Sequence, residues 1–133
     1  MNAIFLDTVG MLALWNEADQ WHKSAQEAFD ELIASRRTVL TTSFILLECG
    51  NAAARRPIRR SVIQWQRVMS ANKGLIFPGH DDWSQAWSAY ERGEAAQAGI
   101  VDQFSFAVMQ RLEIRQAFTN DEHFRAAGFE TLF

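Results

Sequence analysis

Short apolar runs alternate along the chain with longer stretches in which apolar residues recur every three or four positions. That is the patterning of a domain that alternates strands and helices. Ala3-Ile4-Phe5-Leu6, closed by Asp7, predicts a buried first strand over residues 3–6. Trp21, Ala25, Ala28, Phe29, Leu32 and Ile33 share one stripe and predict an amphipathic helix over residues 17–35. The β-branched run Thr38-Val39-Leu40-Thr41 predicts a second strand, and Ser43 can cap a helix reaching about residue 54. Pro57 opens a further helix that carries Val62, Trp65, Val68 and Met69. Leu75-Ile76-Phe77, stopped by Pro78-Gly79, reads as a third strand. Helices follow over residues 81–95 and after Gly99, then a fourth strand over residues 116–119, a short helix through Phe124 and an edge strand over residues 129–133. With right-handed crossovers this order gives an α/β fold, a parallel sheet of four to five strands with helices on both faces.

A length of 133 residues, 48% of them hydrophobic and sixteen of them aromatic, predicts one compact domain over residues 1–133 and excludes a disordered chain. Thirteen basic residues against sixteen acidic ones leave a net charge of −3, so any nucleic-acid contact must come from a local patch. A single cysteine, Cys49, excludes an intrachain disulfide framework and a Cys-rich zinc site, and its apolar surroundings read as a buried structural thiol. His22, His80 and His123 lie far apart, and His123 reads as a surface or packing residue. The N-terminus lacks the basic and long apolar segments of a signal peptide, and no run is long enough for a spanning helix. The expectation is a soluble cytoplasmic protein with no membrane association.

Four carboxylates carry the candidate chemistry. Asp7 closes the first strand and Asp121 follows the fourth, so neighbouring strands would bring both to the crevice where open parallel sheets bind ligands. Glu48 is the only charged residue between Thr38 and Ala54, on an apolar helix where a carboxylate is costly unless paired or bound to a cation. Asp102 is the only acid from Ala95 to Leu112. Each has a purely structural reading by itself: Asp7 and Asp121 as turn or helix-capping residues, Glu48 as an edge residue reaching water, Asp102 as a first-turn acid. Together, without basic partners, they would repel one another until a hard cation neutralised them, and oxygen-only ligands suit Mg²⁺ or Mn²⁺.

At these positions the chain resembles the PIN-domain family, in particular the VapC-type toxin ribonucleases of type II toxin–antitoxin systems. The likeness rests on Ile4-Phe5-Leu6-Asp7-Thr8, on Glu48 after Ser43, on Val101-Asp102-Gln103-Phe104-Ser105-Phe106-Ala107, and on Phe118-Thr119-Asn120-Asp121-Glu122-His123-Phe124 followed by Ala127-Gly128-Phe129. It runs from Ile4 to Phe133. One departure is Val101, where many relatives carry Ser or Thr. The resemblance implies a three-layer α/β/α sandwich and Mg²⁺- or Mn²⁺-dependent endonucleolytic cleavage of RNA. It implies Asp7, Glu48, Asp102 and Asp121 as the catalytic, metal-binding set, with Asp7 and Asp102 as direct ligands and Thr8 and Thr119 in support. It also implies a small antitoxin partner and a homodimer.

From Cys49 to His80 there is no acid, while Arg55, Arg56, Arg59, Arg60, Arg67 and Lys73 fall in that stretch. Arginine forks suit phosphate oxygens, so Arg55, Arg56, Arg59 and Arg60 are candidate RNA contacts. A solvated helix face, or a seat for acidic groups of an antitoxin, accounts for them equally. Trp83 and Trp87, four apart on one helix, read as packing or interface residues. The competing reading of the whole chain is a catalytically inactive PIN-like module that binds protein or RNA. A small-molecule phosphohydrolase is less well supported, because the chain offers no nucleophile motif beyond Asp7-Thr8 and no phosphate-binding Lys in a clear context.

Overall fold

A computed structural model describes residues 2–133. Its sheet has five strands in the order β3-β2-β1-β4-β5, with every pair parallel. They are β1 (Ala3–Leu6), β2 (Thr38–Thr42), β3 (Leu75–Ile76), β4 (Gln116–Phe118) and β5 (Glu130–Thr131). The helices are α1 (Thr8–Trp15), α2 (His22–Ala34), α3 (Ser43–Ala53), α4 (Arg59–Ala71), α5 (His80–Glu91), α6 (Glu94–Gln97), α7 (Ile100–Arg111) and α8 (Glu122–Ala126). None of the described helices is long and apolar enough to cross a membrane.

β1 is central because all four of its residues are apolar, which suits burial on both faces. It pairs with β2 through Ile4↔Val39 and with β4 through Leu6↔Phe118. The chain steps from β1 to β2 to β3 on one side, then returns to place β4 on the other. The carboxyl ends of β1 and β4 therefore flank the switch point, the crevice that parallel sheets use for ligands. Phe5, Phe106, Phe118 and Phe124 fill the core around them.

Four local differences from the sequence reading have identifiable causes. α1 was not anticipated: Thr8–Trp15 is apolar almost throughout, so it carries no amphipathic stripe. Trp21 and Ile33 are exposed and leave the predicted stripe: Trp21 precedes α2, which begins at His22, and Ile33 lies on the solvent side of its last turn. The helix predicted over residues 81–95 stops at Glu91, where Gly93 takes φ 67°. The cap of α3 is Thr42 rather than Ser43, its hydroxyl accepting from Ile45 N–H at 3.2 Å.

Beyond Gly93 the single turn α6 is left-handed, with φ 55° at Ala95, 56° at Ala96 and 60° at Gln97. Left-handed geometry costs an L-residue roughly 1–2 kcal/mol. The buried Gln103 amide holds the turn by donating to Glu94 O at 2.9 Å and Ala98 O at 3.4 Å. Ala96→Gly, at an exposed position, is accordingly expected to raise stability by about 0.5–1 kcal/mol, read as a higher urea midpoint at unchanged slope.

Candidate active site

Asp7 is the first residue after β1 and is only 2% exposed. It occupies the N-cap position of α1 but makes no capping bond through its side chain. Its Oδ2 instead accepts the Thr119 hydroxyl at 2.8 Å across the β1–β4 crevice. The same Thr119 oxygen accepts from Asp121 N–H at 3.1 Å, tying the β4–α8 turn to the end of β1. Thr41 secures the other flank by donating to Leu6 O at 2.7 Å.

This juxtaposition needs close approach of α1 to β4, and Gly10 provides it. A Cβ on Gly10 would lie 2.0 Å from Phe118 O and 2.8 Å from Phe118 C. On the opposite wall, Thr8 Oγ1 donates to Glu48 Oε1 at 2.7 Å, linking α1 to α3. Asp102 sits in the first turn of α7. Asp121 caps α8, its Oδ1 accepting from the His123 backbone N–H at 2.9 Å and from His123 Nδ1 at 2.8 Å.

Asp7, Thr8, Glu48, Asn51, Asp102 and Asp121, with Val9 and Ala52, line one cavity of about 450 Å³. The structure thus brings together all four acids singled out from the sequence, along with Thr8; Thr119 stands behind Asp7. Glu122 is exposed and does not line the cavity, so Asp121 is the acid of that pair that faces it. Oxygen atoms of Asp102 and Asp121 and a ring nitrogen of His123 lie within 4.8 Å of one another. His123 was not anticipated as a site residue. The available signal was its place two residues beyond a capping Asp, which folds its backbone N–H and ring onto that carboxylate.

The electrostatics follow from crowded carboxylates. Burial, then the charge of Asp102, lifts Asp7 to about 7. Burial, then Asp121 and Glu48, lifts Asp102 to about 6. Among the described residues no lysine or arginine pairs with any of the four acids. Among the described residues His123 is the basic group beside them, and its hydrogen bond to Asp121 raises its pKa above the usual imidazole value. Cys49, buried close by, is pushed up to about 12 by that burial and is a poor nucleophile. A set of oxygen donors in which burial, and then mutual repulsion, raises the proton affinity of Asp7 and Asp102 fits a divalent cation, which would offset the same charge.

Arg55 and Arg56 lie in the turn after α3, and Arg59 and Arg60 open α4. All four are exposed, and none forms an ion pair among the described residues. Asn51 and Ala52 belong to the cavity wall, so the chain passes from the acidic cleft to the arginines within a few residues. Trp83, Trp87 and Tyr90 on α5 are 52%, 40% and 47% exposed.

A PIN domain family model matches residues 4–130 of the chain. Over 131 residues, and 95% of each chain, the sequence is 32% identical to the "23S rRNA-specific endonuclease VapC20" of Mycobacterium tuberculosis, in both strain CDC 1551 / Oshkosh and strain H37Rv. The fold is similar to the crystal structure of M. tuberculosis VapC20, described as a sarcin-ricin loop cleaving toxin. The TM-score is 0.80 at 30% identity, with 95% of each chain covered.

Proposed function

The chain belongs to the PIN-domain family, and from that premise we propose that it is a divalent-metal-dependent endoribonuclease, the toxin of a VapBC-type toxin–antitoxin pair. The observation that carries this reading is the convergence of Asp7, Glu48, Asp102 and Asp121, from four separate places in the fold, on one cleft without a lysine or arginine partner. Asp102 and Asp121 would hold Mg²⁺ or Mn²⁺ together with Asp7 and Glu48. When bound, the ion supplies an activated water and neutralises charge on the phosphodiester. Thr119 keeps the Asp7 carboxylate turned into the crevice, and Thr8 does the same for Glu48. A reducing cytoplasm is the compartment this reading implies, and there the buried Cys49 stays a free thiol.

The relative's name makes a hairpin from 23S rRNA the first substrate to test. Cleavage at one position in Mn²⁺ or Mg²⁺, abolished by EDTA and absent with DNA of the same sequence, is the expected result. Stoichiometric binding of the hairpin with no cleavage in either metal would favour the inactive binding module instead.

The arginines next to the cleft would hold RNA phosphates without reading bases. Replacing Arg55, Arg56, Arg59 and Arg60 together by Gln is expected to weaken RNA binding tenfold or more at low salt. It should also flatten the salt dependence by about 0.7 in log–log slope per lost phosphate contact. Fluorescence anisotropy against salt concentration reads both. The same cations would meet the acidic groups of a small antitoxin.

The exposed rings of Trp83, Trp87 and Tyr90 continue a chain of edge-on and tilted ring contacts that runs through Phe104 to Phe44. Clustered aromatics of this kind are typical of the centre of an interface. A homodimer through the α5 face is expected, and Trp87→Asp should convert it to monomer in sedimentation velocity. A monomeric wild type at micromolar concentration would contradict this.

A further inference from the structure

We propose that His123 is a ligand of the divalent ion held by Asp102 and Asp121, and that its nitrogen makes the centre prefer Mn²⁺ to Mg²⁺. The proposal deepens the nuclease reading and rests on it.

The three side chains stand close enough together to share one ion. Donor atoms on Asp102, Asp121 and His123 lie within 4.8 Å of one another. Ligands about 2.0–2.2 Å from a common metal stand roughly 3 Å apart when adjacent and a little over 4 Å apart when opposite. His123 Nδ1 and Asp121 Oδ1 are joined by a hydrogen bond at 2.8 Å, and a cation that displaces its proton would find the two atoms placed as adjacent ligands.

The ring is held in place by its surroundings. The His123 backbone N–H is bonded to Asp121 Oδ1, which fixes the start of α8. The next residue, Phe124, is fully buried and packs its ring against Phe5 and Phe106, so α8 cannot turn about its axis without emptying the core. The His123 side chain nevertheless remains 41% exposed, beside an Asp121 carboxylate that is 20% exposed, so an ion can reach the pair from solvent.

The donor set then decides the metal. Mg²⁺ is a hard ion that takes oxygen and keeps its waters, whereas imidazole nitrogen suits first-row transition ions. An all-carboxylate cleft would discriminate weakly between Mg²⁺ and Mn²⁺. Adding the His123 imidazole to the carboxylates shifts the preference toward Mn²⁺.

The test uses the full chain freed of metal. Mn²⁺ and Mg²⁺ are titrated by calorimetry into the wild type and His123→Ala, with circular dichroism confirming that the variant is folded. Pulsed electron paramagnetic resonance on the Mn²⁺-loaded wild type looks for modulation from a directly bound ¹⁴N, a readout that needs neither the variant nor RNA. The expected results are ¹⁴N modulation in the wild type and at least tenfold tighter binding of Mn²⁺ than of Mg²⁺. In His123→Ala the modulation should vanish and Mn²⁺ affinity should fall tenfold or more, with Mg²⁺ affinity changed less than threefold. Stoichiometric Mn²⁺ binding without ¹⁴N modulation would overturn the proposal and leave the nuclease reading intact; His123 would then only orient Asp121. Failure of the wild type to bind either ion would overturn both.

Discussion

Asp7→Asn is expected to make the metal-free protein more stable at pH 7.5 while abolishing RNA cleavage. Asp7 is buried and is raised to about 7 in the folded chain, against 3.8 when unperturbed. A carboxyl whose folded value lies above its unfolded value contributes stability that is fully present below pH 4. That contribution is lost as pH rises through about 7, because the unfolded chain gives up the proton more easily. At about 1.4 kcal/mol per pKa unit, the metal-free fold at pH 7.5 carries a penalty on the order of a few kcal/mol from this one group. Asparagine keeps an oxygen to accept the Thr119 hydroxyl and never ionises. The variant should therefore gain stability at pH 7.5 and change little at pH 4. Added Mn²⁺, which offsets the charge in the wild type, should raise the wild-type melting temperature strongly and the variant's little. Urea unfolding at both pH values checks the sign; a variant less stable than the wild type at pH 7.5 would show that Asp7 is not a strained anion. The same substitution removes a carboxylate of the proposed metal site, so cleavage is expected to fall at least a hundredfold.

Gly10→Ala should be the most damaging single methyl in the chain. The new Cβ would meet a backbone oxygen at 2.0 Å, and Phe118 belongs to β4, so no flexible side chain can move aside. Either α1 lifts from the sheet or β4 shifts, and either motion parts Asp7 from Thr119. Overpacking of this kind typically costs about 1–3 kcal/mol, and a backbone clash puts Gly10→Ala at or above the upper end. Loss of Mn²⁺ affinity should accompany the loss of stability, because the displaced residues carry the site. Gly50→Ala is the matched control. It lies within α3, its Cβ would meet nothing within 4 Å, and alanine is the better helix former. Chemical denaturation should place Gly50→Ala at or above wild-type stability and Gly10→Ala well below it.

The sheet and the acidic cleft were legible because they depend on strong local signals. Ala3–Leu6 reads as a strand buried on both faces, and an acid at its end can only sit at the carboxyl edge of the sheet. Glu48 and Asp102 are conspicuous because each interrupts an otherwise acid-free stretch. What could not be read depends on contacts between distant segments. Nothing local in Thr8–Trp15 signals an amphipathic helix, because apolar residues run almost all the way round it and form no stripe. The role of Gly10 exists only once β4 lies beneath α1. The left-handed turn at Glu94–Gln97 contradicts the preference of its alanines and is fixed by Gln103, nine residues beyond Glu94. His123 looked like a surface residue because its partner is a carboxylate that sequence alone assigns to a helix cap. Both readings of Asp121 are realised at once, since the side chain that caps α8 also lines the acidic cavity.

The central claim is that the four acids form one divalent-ion centre that cuts RNA. The most direct measurement compares the metal-free wild type with Asp102→Asn on a labelled 23S rRNA hairpin, with Mn²⁺ added back to each. Asp102 faces the cavity from the first turn of α7 and makes no structural hydrogen bond through its side chain among the described contacts, so the variant should keep its fold. The account predicts cleavage by the wild type only after Mn²⁺ is restored, and none by Asp102→Asn. Equal cleavage by both proteins, or cleavage by the wild type in excess EDTA, would contradict it.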